Sequence, residues 1–199
     1  MRKKSLSLTE LALAIALLGT VILGATAFDV GSRHFLQSTE RKAQVVNEAT
    51  LILDHITKNA VLGIGDFERA AMWQGPVGGV TGLLIKQDAN GNGLYDGSDD
   101  PDPPTNGDRV VAYNQEGSNI YFYPNYGAQP GSREILSRRG VAGGFQVLNA
   151  TQNRIGIQTD NRVGLRIALR SNPAGGTEPF TNPQVTIQTT IEAPGWSLQ

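Results

Sequence analysis

The chain has no cysteine, and that absence removes disulfides, thiolate chemistry and Cys-ligated zinc. For a domain outside the cytoplasm, stability must then come from packing or from a bound metal. A dominant sign of charge is missing as well. With 17 basic residues against 18 acidic ones there is no overall positive field, and nucleic acid is not an expected partner. Histidine is scarce: His34 and His55 lie 21 positions apart. On one helix that spacing is about 30 Å, too far for a shared metal or active site within one chain. No H-E-x-x-H, G-x-S-x-G or P-loop string occurs, and no enzyme is expected. No proline precedes Pro76 and no internal repeat is evident.

What is present begins with Arg2, Lys3 and Lys4, followed by Leu11 to Phe28, eighteen residues without a formal charge. As a helix this run approaches the span of a bilayer. The basic start favours a cytoplasmic N-terminus, which puts everything after Phe28 on the far side. Apolar positions then recur near every 3.5 residues in Phe28, Phe35, Ala43, Val46, Ala49, Leu53, Ile56 and Ala60. Gly63 and Gly65 supply the first stop signal. The pattern predicts one helix over 6–62, apolar all round in its first half and amphipathic in its second. A secretory signal cut after Ala27 competes with this reading, because Ala25, Thr26 and Ala27 look like a signal peptidase site. Against it, the apolar run exceeds the roughly 7–15 residues of an ordinary signal, and Glu10 sits where that run begins. Ser7 and Glu10 also fit the S-x-x-E capping box.

With 39% hydrophobic and 18% charged residues, 24 Gly and 10 Pro, the remainder suits short strands joined by turns. A Gly-rich connection through Gly82 leads to strands expected at Leu83–Lys86, Arg109–Tyr113, Asn119–Tyr123, Gly144–Leu148, Arg154–Gln158, Val163–Leu169 and Val185–Ile191. Asn114 to Ser118 is expected as a turn. Val163, Leu165, Ile167 and Leu169 alternate with Arg162, Arg166 and Arg170, so one sheet face is expected to be solvated or to meet a partner.

The string KKSLSLTELALAIALLG resembles the N-terminal signature of the type IV pilin-like family: a short basic leader, a small residue, an apolar residue, and Glu as the fifth mature residue. By that resemblance residues 1–5 are the leader, and prepilin peptidase cuts between Ser5 and Leu6, where the family usually has Gly and Phe. The new N-terminus is methylated, Glu10 serves assembly, and 6–62 remains as the anchor and assembly helix. The body over 63–199 reads DRVVAYNQEGSNIYFY, REILSRRGVAGGFQVLN and NRVGLRIALR in turn, and is similar to the minor pseudopilin J subunit of type II secretion and to W-type minor pilins. The resemblance implies an α+β pilin-like fold, a long helix packed on an antiparallel sheet. It also implies an inner-membrane subunit of a pilus or secretion pseudopilus, acting in protein transport or pilus assembly. Expected partners are other pilin or pseudopilin subunits, prepilin peptidase, the inner-membrane assembly platform and the lipid bilayer. The alternative is an exported binding domain for a carbohydrate or surface polymer, released after Ala27.

Asp88 to Asp99 has the spacing of a twelve-residue calcium loop. Asp88, Asn90 and Asn92 stand at positions one, three and five, Gly93 at the turn, Leu94 at the carbonyl position, and Asp96 and Asp99 at nine and twelve. Calcium needs six to eight oxygen ligands on a loop that can curl around it, which is what such a pattern supplies. Between Asp88 and Asp108 there are six Asp and no base, an imbalance that a bound cation relieves. The competing reading is a solvated Asn/Asp/Gly turn. Finally, Arg133 to Arg170 holds seven Arg against Glu134 and Asp160, either a solvated strand face or a patch for an acidic neighbour.

Overall fold

A computed structural model of the chain describes residues 7–65, 70–88, 108–126, 132–148, 162–178, 181–193 and 195–196. Helix α1 (Leu8–Val61) has 54 residues and is about 80 Å long at roughly 1.5 Å per residue. It starts in a closed capping box. Ser7 Oγ accepts the Glu10 N–H at 3.2 Å, while the Ser7 N–H donates to Glu10 Oε2 at 2.9 Å. It stops where the Gly63 N–H donates to Ala60 O at 2.9 Å. A Cβ at Gly63 would lie 2.8 Å from that oxygen and 3.2 Å from Cβ of Ala193, so a side chain cannot pass here.

The strands are β1 (Ile64–Gly65), β2 (Met72–Val77), β3 (Val80–Gln87), β4 (Arg109–Glu116), β5 (Asn119–Tyr123), β6 (Glu134–Ser137), β7 (Gly140–Leu148), β8 (Arg162–Arg170), β9 (Gln184–Glu192) and β10 (Gly195–Trp196). β2 to β6 form a five-stranded antiparallel meander, β7 to β9 a three-stranded antiparallel sheet, and β1 runs parallel to β10. The fold is α+β. Val45, Ala49, Ile52, Ile56 and Ala60 of α1 join one buried cluster with Leu83, Ile85, Val111 and Tyr113 of the larger sheet and Val163, Leu165 and Ile167 of the smaller. At about 1.5–3 kcal/mol for each large apolar side chain taken out of water, this seam is the main stabilising contact between helix and body.

Several expectations need correction. The buried stripe of α1 runs through Val45 and Ile52, whereas Phe28 and Phe35 are 78% and 65% exposed, Ala43 is exposed, and Val46 is half-buried. Among the described residues the buried positions of α1 begin at Val45, so Phe28 and Phe35 face no core. The antiparallel strands form two sheets, not one. The Gly-rich connection contains β2 and the start of β3, joined through Gly78 and Gly79, whose φ of +59° and +86° make the tight hairpin turn that glycine permits. β4 continues to Glu116, and the turn is only Gly117–Ser118, with Gly117 at φ +61°. The strand expected at 154–158 lies outside the described residues.

Candidate functional site

Every residue of α1 from Leu8 to Gly31 is exposed. An 18-residue window of mean hydropathy 2.3 is wholly exposed, and among the described residues α1 is the one helix long and apolar enough to cross a membrane. Its few polar side chains turn back on their own backbone: Thr20 Oγ1 donates to Leu17 O at 2.8 Å, and Thr26 Oγ1 to Ile22 O at 3.0 Å. That arrangement suits hydrocarbon, where an unmet hydroxyl is costly. The helix runs unbroken through Ala25, Thr26 and Ala27. Directly after the apolar run, Asp29 and Arg33 pair at 3.0 Å, both exposed. Glu10 lies one turn inside the helix start, exposed and engaged in the cap. Ser5 and Leu6 lie outside the described residues.

The second half of α1 is tied to the body by polar contacts at both ends of the buried stripe. Arg41 Nη1 donates to Thr181 O at 2.8 Å, and Glu48 pairs with Arg139 at 3.5 Å. Near the C-terminal end, Gln87 Nε2 donates to Asn59 O at 3.0 Å and to Asn59 Oδ1 at 2.9 Å, while Gln87 Oε1 accepts from Arg109 Nε at 3.0 Å. The Asp88 N–H donates to Leu62 O at 3.2 Å. The two ends of the β3–β4 connection are thus clamped to each other and to the last turn of α1.

Of the predicted calcium ligands only Asp88 is described. Asn90, Asn92, Leu94, Asp96 and Asp99 lie outside the described residues, although strands do flank the loop as expected. Among the described residues no group of three or more His, Cys, Asp or Glu converges.

His34 is exposed, but His55 is half-buried at the seam, with its ring edge-on to Phe122 at a centroid distance of 4.6 Å. The adjacent Asp54 turns away and pairs with Lys58 at 2.6 Å, one helical turn on. His55 instead meets Tyr113, a link between α1 and β4 that no local motif signals, because its members are 58 positions apart. Burial drives the Tyr113 phenol far above its ordinary pKa, against the lowering effect of Asn59, so it stays a neutral donor.

The arginines resolve individually. Arg133 pairs with Glu116 at 2.8 Å and lies over the Tyr121 ring, Arg139 pairs with Glu48, and Arg162 pairs with Glu192 at 3.1 Å. Glu116 Oε1 also receives Asn114 Nδ2 at 3.2 Å and the Tyr123 hydroxyl at 3.3 Å. Burial works to raise the Glu116 pKa, but these hydrogen bonds and the Arg133 charge outweigh it and hold the carboxyl below its ordinary range. Arg154 lies outside the described residues. No protein-family model, curated protein or solved structure matches this chain.

Proposed function

We propose that this chain is a structural subunit of a type IV pilus or type II secretion pseudopilus, a minor pilin or minor pseudopilin, anchored in the inner membrane and assembled through α1. The observation that supports this best is one unbroken helix divided between two environments. Its first half holds the exposed apolar window, and its second half buries Val45, Ala49, Ile52, Ile56 and Ala60 against the body. Exposed apolar surface of that extent is not tolerated in water. Lipid covers it before assembly, and the helices of neighbouring subunits cover it afterwards.

Cutting after Ser5 leaves a positive amine on Leu6, close in sequence to Glu10. In a parallel array of helices, that amine on one subunit approaches the Glu10 carboxylate of the next in a low-dielectric setting and sets their register. Calcium in the 88–99 loop remains part of the proposal. Its support is the ligand spacing, together with the clamp that holds Gln87, Asp88 and Arg109 against the end of α1.

The mass of the mature N-terminus, measured on protein recovered from the membrane fraction, tests the reading. A start at Leu6 is the expected result. A soluble protein starting near Phe28 would replace this function with that of a released binding domain.

A further inference from the structure

Strand β9 ends the smaller sheet with one side bonded and the other open. It pairs with β8 in unbroken register, from Gln184 opposite Arg170 to Glu192 opposite Arg162. The Ser171 N–H donates to Pro183 O, so the ladder bonds fall on the odd residues Val185, Ile187, Thr189 and Ile191. The N–H and C=O of Thr186, Gln188 and Thr190 therefore point away from β8. Among the described residues these groups meet no other backbone, and all three residues are exposed.

Unpaired edges invite strand addition, and folded proteins usually guard them with proline, bulges, charge or short length. Among the described residues the other edges are guarded. β2 has six residues and contains Pro76, β6 has four, and β1 and β10 have two each. β7 is bulged between Gly140 and Phe145, where the Gln115 side chain takes the Val141 carbonyl at 2.6 Å and the Phe145 N–H at 2.7 Å. β9 has nine residues with no proline, glycine or bulge, and no charge before Glu192.

The two faces of β9 define what a partner strand must carry. On the inner side Val185 and Ile187 are only half-buried against the core, so a strand laid beside them gains by placing apolar side chains there. On the outer side Arg166 reaches the neutral Gln146 at 3.4 Å, and Arg170 donates to Gln184 Oε1 and the Gly175 carbonyl. Among the described residues neither has a carboxylate partner. A strand added beside β9 lies two strand spacings, about 10 Å, from β8, within the joint reach of Arg and Glu side chains. We propose that β9 is a docking edge for an extended segment of another protein, which adds antiparallel as a fourth strand and alternates apolar residues inward with acidic residues outward. Main-chain bonds to Thr186, Gln188 and Thr190 hold the segment, and Arg166 and Arg170 select its charge. A second copy of this chain offers no such strand from its other edges. Two β9 edges do not suit each other either. β9 climbs beside α1, from the Thr181 carbonyl held by Arg41 to Ala193 against Gly63, so antiparallel pairing would set two α1 helices in opposite directions. That exclusion alone rests on the membrane anchor proposed above.

The probe is a blocked nine-residue peptide alternating valine and glutamate, matched to the length of β9 and added to the full chain in detergent. It is expected to bind at least about tenfold more tightly than the same residues in block order, and to weaken at about 1 M salt, where the screening length falls to about 3 Å. Binding should slow amide exchange at Thr186, Gln188 and Thr190 and leave Ile187 and Thr189, already bonded to β8, as they were. Gln188→Pro removes an outward N–H and no ladder bond, so it should melt near wild type and bind no peptide. Methylating the glutamate amides, which face β9, makes the same test without altering the protein, whereas methylated valine amides should leave binding intact. Arg166→Glu should turn the preference toward a peptide of valine and lysine. Failure of the alternating peptide to bind, equal binding of the block peptide, or binding without slower exchange at the three edge amides would overturn the proposal. An oxidised Gln188→Cys chain that converts fully to a homodimer in detergent would overturn it in favour of a second copy. The peptide readouts need no membrane, so a mature start near Phe28 would count against the function proposed above and not against this edge.

Discussion

Tyr113 Oη lies 3.1 Å from His55 Nδ1, across the seam between α1 and β4. The pair adds a polar contact beside the apolar stripe of the helix, and its geometry needs a neutral phenol, which burial of Tyr113 secures. Tyr113→Phe keeps the ring against Phe122 and removes only the hydroxyl. The expected loss is about 0.5–1.5 kcal/mol, read as a lower urea midpoint of the full chain in detergent. An unchanged midpoint would mean that His55 is equally well served by water.

Ile56 is wholly buried and Leu51, five residues before it on the same helix, is 68% exposed. Ile56→Ala should cost about 2–5 kcal/mol, since it empties the centre of the helix–sheet seam. Leu51→Ala should stay within about 0.5 kcal/mol for the isolated subunit. Comparable losses in both variants would place the docking face elsewhere on α1.

Glu116 predicts an acid-sensitive term. Its folded-state pKa is lowered, so it contributes stability above its unfolded value of about 4.5, and that contribution is lost as pH falls through the lower folded value. Thermal melts of wild type and Glu116→Gln between neutral and strongly acidic pH should converge at the acid end. Parallel curves over the whole range would show that the Arg133, Asn114 and Tyr123 contacts do not favour the carboxylate.

Calcium should stabilise the chain if the 88–99 loop binds it. A ligand that binds only the folded state adds RT ln(1 + [L]/Kd), about 2.7 kcal/mol at a hundredfold excess over Kd. Melting with calcium and with chelator measures this, and Asp99→Ala should abolish the difference. Because Gln87 and Asp88 are bonded to Asn59 and Leu62, slower amide exchange in the last turn of α1 is expected on calcium addition. Identical melts, with no calcium in the purified protein, would leave only a turn.

Glu10→Gln separates capping from assembly. Gln also serves in a capping box, so helix content and membrane insertion should match wild type. Only the charge is removed, and crosslinking between subunits or entry into the filament should fall sharply. Wild-type assembly by this variant would show that the carboxylate sets no register.

Chemistry confined to neighbouring residues could be read directly from the sequence. The Ser7–Glu10 cap, the unbroken apolar run and the stop at Gly63 depend on contacts within three or four positions, and the alternation of Val163 to Leu169 with arginines depends on the pleat of a single strand. Periodicity placed Ala49, Ile56 and Ala60 on the buried face but also included Phe28 and Phe35, because a repeat records which residues share a face and not where along the helix a core begins. Where the core begins is marked by Thr181 and Arg139, which meet Arg41 and Glu48 from parts of the chain more than twenty positions away. The division into two sheets, the link between His55 and Tyr113 and the separate partners of the arginines arise in the same way. Each is a contact between segments distant in the chain, and only closure of the whole fold brings such segments within hydrogen-bond distance.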